Sequence, residues 1–169
     1  MTQQLLRILG TIRSKLTGMV ARAVVRSIQD GAKLQELELE VQAGEKVRRA
    51  ERFQQYGLTS VPFPGAECVV VFAQGNRDHP LVVALEDRAD RPTGLAAGEV
   101  MLYARNGARV HLKQDGTLRL TSPTKVEIEA PTVEAQATTQ LELSSGTSRV
   151  TLNPAGVTIA GPLVDFTQA

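Results

Sequence analysis

Arg109–Phe166, RVHLKQDGTLRLTSPTKVEIEAPTVEAQATTQLELSSGTSRVTLNPAGVTIAGPLVDF, decides the fold. Apolar pairs one residue apart recur along it: Val110/Leu112, Leu118/Leu120, Val126/Ile128, Val133/Ala135, Leu141/Leu143, Val150/Leu152 and Val157/Ile159. Successive pairs begin seven to nine residues apart, the length of one short strand and one turn. Turn formers fill the intervals: Asp115-Gly116, Ser122-Pro123, Ala130-Pro131, Ser145-Gly146, Asn153-Pro154 and Gly161-Pro162. A fixed period marks a solenoid rather than a closed globular core. Each rung offers only two small or aliphatic side chains, too little to hold a lone strand. The segment is therefore predicted to share its apolar stripe with copies of itself, in a fibrous, intertwined β-structure with a mechanical role.

Composition points the same way. The chain of 169 residues is 42% hydrophobic but only 4% aromatic, without Trp. Stacking platforms for bases or sugars need aromatic mass that is scarce here. A net charge of +1 makes the whole chain no electrostatic magnet for nucleic acid. The first 26 residues are nonetheless basic, with Arg7, Arg13, Lys15, Arg22 and Arg26 and no acid. Cys68 stands alone within an apolar run and reads as a small buried residue. No apolar stretch approaches a membrane span, and the N-terminus lacks the unbroken apolar region of a signal peptide, so synthesis and initial residence in a cytoplasm are expected.

Upstream of the rungs, residues 1–17 read as an amphipathic helix. Leu5, Leu6, Ile8, Leu9, Ile12 and Leu16 recur at helical spacing, Arg7, Arg13 and Lys15 are polar, and Gly18 stops the run. Such a short basic helix is expected to dock on a protein. Residues 18–92 read as a compact β-domain. Val20 to Ile28 is strand-like, and Gln29-Asp30-Gly31 signals a turn. Leu37, Leu39 and Val41 alternate with Glu36, Glu38 and Glu40, predicting a strand with an acidic outer face. Ala66 to Ala73 is nearly all apolar and predicts a strand buried on both faces, with Leu81 to Leu85 a second of that kind. About five short strands suit a small Greek-key barrel of the OB type. Residues 93–108 form a connector containing the strand Val100 to Tyr103 and the turn Asn106-Gly107, and residues 109–169 are the rungs.

At this point the chain resembles a known family. Phe53-Gln54-Gln55-Tyr56-Gly57-Leu58-Thr59-Ser60, Pro62 and Pro64-Gly65-Ala66-Glu67 look like the central spike, or baseplate assembly protein V, family of Mu-like contractile-tailed phages. So do Gly75-Asn76-Arg77-Asp78-His79, Arg91-Pro92 and Gly98-Glu99-Val100-Met101-Leu102-Tyr103. The resemblance spans essentially the whole chain. It implies a homotrimeric structural virion protein of the tail baseplate: an OB-fold collar attached to a hub protein, and a three-chain β-helix needle that pierces the host outer membrane on sheath contraction. The rung period, read independently, asks for the same architecture. The fold class expected is thus mainly β, with an N-terminal helix, a small OB-like barrel and a C-terminal trimeric β-helix.

In that arrangement the needle core is Val110, Leu112, Leu118, Leu120, Val126, Ile128, Val133, Leu141, Leu143, Val150, Leu152, Val157 and Ile159, each facing the common axis. Hub attachment falls to Leu5, Ile8, Leu9 and Ile12 of the helix. Many such spikes end in a His-x-His pair that binds iron. This chain departs from that pattern, since His79 and His111 are its only histidines. No metal or other cofactor is expected. Leu163, Val164 and Phe166 instead predict a blunt apolar tip, covered by a separate small tip protein.

Other classes fit less well. Glu127/Glu129 and Glu36/Glu38/Glu40 are paired carboxylates on exposed strand faces, no nucleophile–base set can be assembled, and no catalytic residue is expected. A hexapeptide-repeat acyltransferase has a shorter period than these rungs. A two-sheet sandwich would not need so constant a period. The alternative function is an OB-fold module for nucleic acid or carbohydrate with a solenoid oligomerisation tail, but Phe53, Tyr56, Phe63 and Phe72 lack interleaved basic residues, and nucleic acid is not an expected partner.

Overall fold

The computed structural model describes residues 2–31, 33–41 and 44–162. It is mainly β and divides into two units, Met1–Thr124 and Lys125–Ala169. Helix α1 (Thr2–Thr17) leads into a closed barrel built from β1 (Val20–Gln29), β2 (Gln35–Val41), β3 (Lys46–Arg52), β4 (Glu67–Phe72) and β5 (Pro80–Glu86). Around the barrel the strand order is β1-β2-β3-β5-β4, with β4 closing on β1. All pairs are antiparallel except β3 with β5. Closure leaves no open edge in the sheet.

Alternation decides what fills the barrel. In β2, Leu37, Leu39 and Val41 point inward and Glu36, Glu38 and Glu40 outward. The core adds Ala23 and Val25 from β1, Val47 and Ala50 from β3, Cys68, Val70 and Phe72 from β4, and Val82 from β5. Phe72, fully buried, is the bulkiest of these. The outward acids meet arginines on neighbouring strands: Arg26 reaches Glu40 at 2.8 Å and Arg49 holds Glu36 through two 3.1 Å bonds. Exposed pairs of this kind are screened by solvent and add little to stability.

Val47 and Ala50 are both inward although three residues apart, which strict alternation forbids. A bulge resolves this. Leu37 pairs with Ala50 and Leu39 with Val47, so Glu38 opposes both Arg48 and Arg49. Arg49 takes a φ of 59°, absorbing the extra residue.

One expectation needs correction. Residues 66–73 do not form a strand buried on both faces. In β4 only Cys68, Val70 and Phe72 are buried, while Glu67, Val69 and Val71 are half-exposed. A closed barrel has one inner face, and the outward residues of β4 stay partly open to solvent. The same holds in β5, where Val82 is buried and Val83 exposed. Within the single chain, residues 122–140, which carry Val126/Ile128 and Val133/Ala135, form no strand.

Beyond the barrel, unit 1 carries β6 (Val100–Tyr103), β7 (Arg109–Leu112) and β8 (Leu118–Thr121) as one antiparallel sheet. Unit 2 carries β9 (Leu141–Ser145), β10 (Ser148–Asn153) and β11 (Gly156–Ala160) as another.

Candidate functional site

Tight turns set the register of the first small sheet. Between β6 and β7, Gly107 takes a φ of 91° and its N–H donates to Ala104 O at 3.0 Å, while Ala108 N donates to Asn106 Oδ1. Between β7 and β8, Gly116 has a φ of 82°, and Asp115 accepts from Thr117 N at 2.9 Å. Residues other than Gly rarely tolerate these φ values, which is why Asn-Gly and Asp-Gly punctuate the rungs.

The register then gathers the apolar residues. Val100, Leu112 and Leu118 form one cross-strand row, and Leu102, Val110 and Leu120 the next. Directly opposed residues share a face, so these six make one continuous apolar surface. Met101, Tyr103, Arg109, His111, Arg119 and Thr121 occupy the other face. Unit 2 repeats the plan. Leu143, Val150 and Ile159 form one row and Leu141, Leu152 and Val157 a second, while Glu142, Ser144, Arg149, Thr151, Thr158 and Ala160 lie opposite.

Among the described residues, both apolar faces stay largely exposed. Leu118 is 61% exposed, Leu143 62% and Val157 66%. Val126 and Val133 are likewise exposed and Ile128 is 73% exposed, on the stretch without strands. None of the thirteen residues expected to line a needle core is buried within its own chain. Ten of them fall on the two sheet faces. Val100 and Leu102 join them; sequence reasoning had placed both in the connector, although their alternation is the same as that of the rungs.

The polar side of the first sheet is tied down by Glu99. Its carboxylate accepts from Gln114 N at 3.3 Å and Ala96 N at 3.2 Å, and lies 3.1 Å from His111 Nε2. The hydrogen bond from Gln114, then that from Ala96, holds this carboxyl below its ordinary value of 4.5. The contact links the segment before β6 to the β7–β8 hairpin.

For the helix, Leu9 and Ile12 are exposed, as is Leu6, leaving apolar surface on α1. The side chains of Leu5 and Ile8, and the tip residues Leu163, Val164 and Phe166, lie outside the described residues. Among the described residues no group of three or more His, Cys, Asp or Glu stands close enough to hold a metal. Among the described residues no helix is long and apolar enough to cross a membrane.

The profile of the family described as "Bacteriophage Mu Gp45, N-terminal" matches residues 22–89, the span of the barrel. The "Baseplate puncturing device gp45" of Escherichia phage Mu is 39% identical over 136 residues, covering 79% of this chain and 68% of that protein. The "Mu-like prophage FluMu protein gp45" of Haemophilus influenzae is 38% identical over 135 residues, covering 80% and 73%.

Proposed function

The chain belongs to the bacteriophage Mu Gp45 family and is a phage baseplate structural protein, and from that premise we propose that three copies assemble into the central spike of the tail. The observation that carries this is the pair of uncovered apolar sheet faces. A monomer in water gains nothing from presenting two six-residue apolar surfaces, whereas a threefold assembly buries all of them around one axis. Small aliphatic residues suit a thin prism, and the polar faces then look outward. Strand partners for residues 122–140 come from the other copies, which satisfies backbone groups one chain leaves open. The result is an intertwined needle over residues 109–169.

In this reading the barrel is the collar. Its strand order, closed between β1 and β4, is that of the small Greek-key barrels of OB type. Residues 18–92 form the collar, 93–108 the connector, and α1 joins the hub protein through Leu5, Ile8, Leu9 and Ile12. Sheath contraction drives the needle through the host outer membrane. The protein acts by geometry and stiffness rather than by catalysis.

Particles carrying a chain truncated after Thr121 test this. They are expected to build baseplates and contract, yet fail to permeabilise the outer membrane. Permeabilisation at the full-length rate would overturn the piercing role.

A further inference from the structure

The chain that joins the barrel to the β6–β8 sheet has the composition of a hinge, with Pro92, Gly94 and Gly98 close together. The fold braces it from both ends. On the barrel side, Asp87 closes the turn that follows β5: its carboxylate accepts from Ala89 N at 3.0 Å and its carbonyl from Arg91 N at 2.9 Å. That turn presents Asp90, whose side chain is only 17% exposed. On the sheet side, Glu99 accepts from Gln114 N and stands beside His111, which fastens the residue before β6 to the β7–β8 hairpin. Only residues 91–98 run between these two anchored points.

One side chain crosses directly from sheet to barrel. Arg105, in the β6–β7 turn, lies 4.5 Å over the Phe63 ring, and its Nε stands 3.3 Å from Asp90 Oδ1. A guanidinium can do both at once, stacking by its plane and pairing by its edge. Phe63 is itself fixed to the barrel. Its carbonyl accepts from Ala66 N at 3.2 Å, and Val25 N of β1 donates to Ala66 O at 2.8 Å. Just upstream, Arg52 of β3 donates to Ser60 O at 2.7 Å, to Ser60 Oγ at 2.9 Å and to Oε1 of the buried Gln35 at 2.8 Å. A satisfied polar network of this kind holds one conformation. Around Arg105 the two bodies are not tightly packed. A cleft of about 540 Å³ has Val61 and Phe63 on one side and Leu102 and Tyr103 on the other. An open cleft forfeits the dispersion contacts of a filled core, which leaves the hold to Arg105.

We infer that Arg105 is a pin that holds the β6–β8 sheet at a fixed angle on the barrel of its own chain, and is thereby a positioning residue for thrust. The role in thrust rests on the spike reading above. A push received by the barrel passes through Phe63 and Asp90 into the β6–β7 turn. Without the pin, the chain would bend at Pro92, Gly94 and Gly98, and the stroke would tilt the needle instead of advancing it.

The test compares the full-length wild-type protein with Arg105→Ala, Arg105→Lys and, as control, Arg119→Ala on the exposed polar face of β8. Native mass is measured first, and electron microscopy of single particles then gives the spread of angles between collar and needle. Arg105→Ala is expected to keep the trimer but lower the population of the pinned angle about tenfold relative to bent ones, the worth of a cation–π contact and an ion pair together. Arg105→Lys keeps its charge beside Asp90 without the planar stack and should fall between, while Arg119→Ala matches wild type. Phage particles carrying Arg105→Ala should contract normally and permeabilise the outer membrane more slowly. A trimeric Arg105→Ala with the wild-type spread overturns the pin and leaves the spike standing. An equal widening in Arg119→Ala also overturns it. Wide spread with full-rate permeabilisation overturns the role in thrust. A wild-type monomer removes the spike reading and that role together. Should Arg105→Ala fail to fold, Arg105→Lys decides, and a wild-type spread there overturns the pin.

Discussion

Leu143→Asp separates an assembled needle from a lone chain. In one chain Leu143 is 62% exposed, so the substitution exchanges one exposed side chain for another. Exposed surface changes of that kind fall within about 0.5 kcal/mol. In a threefold needle the same position faces the axis beside Val150 and Ile159. Full burial of a leucine is worth about 1.5–3 kcal/mol, so covering its exposed portion contributes roughly 1–2 kcal/mol per chain. The aspartate forfeits that and adds a desolvated carboxylate, a further several kcal/mol, with two like charges converging on it. The loss is about 5 kcal/mol per chain and roughly 15 kcal/mol per trimer. Light scattering and a thermal melt read the outcome. Leu143→Asp is expected to lose the trimer or melt far below wild type, while Ser144→Asp, on the opposite face, keeps both mass and melting temperature. A Leu143→Asp protein that remains trimeric with a wild-type melt would refute the inward assignment.

Three other outcomes are expected. Phe72→Ala should destabilise the barrel by about 3–5 kcal/mol through cavity formation, and a loss below about 1 kcal/mol in chemical denaturation would contradict its place in the core. Burial pushes the Cys68 thiol up to about 11, against a smaller opposing pull from Arg52. The folded protein should therefore resist iodoacetamide at pH 8 and react once unfolded; equal rates in the two states would contradict the burial. The depressed Glu99 carboxyl contributes stability that is fully present above its ordinary value of 4.5 and lost as pH falls through the lower folded value. Glu99→Gln should lower the melting temperature near neutral pH and flatten its decline below 4.5, whereas an unchanged acid profile would dismiss this tie.

Much of this was legible in the chain because both small sheets obey one rule. Glycine-bearing turns (Asn106-Gly107 and Asp115-Gly116 in the first sheet, Ser145-Gly146 and Asn153–Gly156 in the second) join the strands, and period-two alternation assigns each side chain to a face. The acidic face of β2 was readable for the same reason. β3 was not, since Lys46–Arg52 is mostly charged and its two apolar, inward residues, Val47 and Ala50, sit three apart, a spacing that makes sense only with the bulge at Arg49. The parallel pairing of β3 with β5 joins Glu51 to Leu81, and no local pattern encodes so distant a register. Apolar content misled at β4, where Val69 and Val71 resemble core residues but lie on the outside of a one-layer wall. The braced 53–63 loop stood out in sequence as a set of recognisable residues, yet its rigidity depends on Arg52 and Gln35 meeting Ser60, which only the folded barrel arranges.

The mass of the native full-length protein in solution tests the central claim most directly. The chain is 18.2 kDa. Light scattering on the purified wild-type protein is predicted to give three times that mass across a range of concentrations, persisting on dilution. A particle of 18.2 kDa, with its two apolar sheet faces open to water, would contradict the spike.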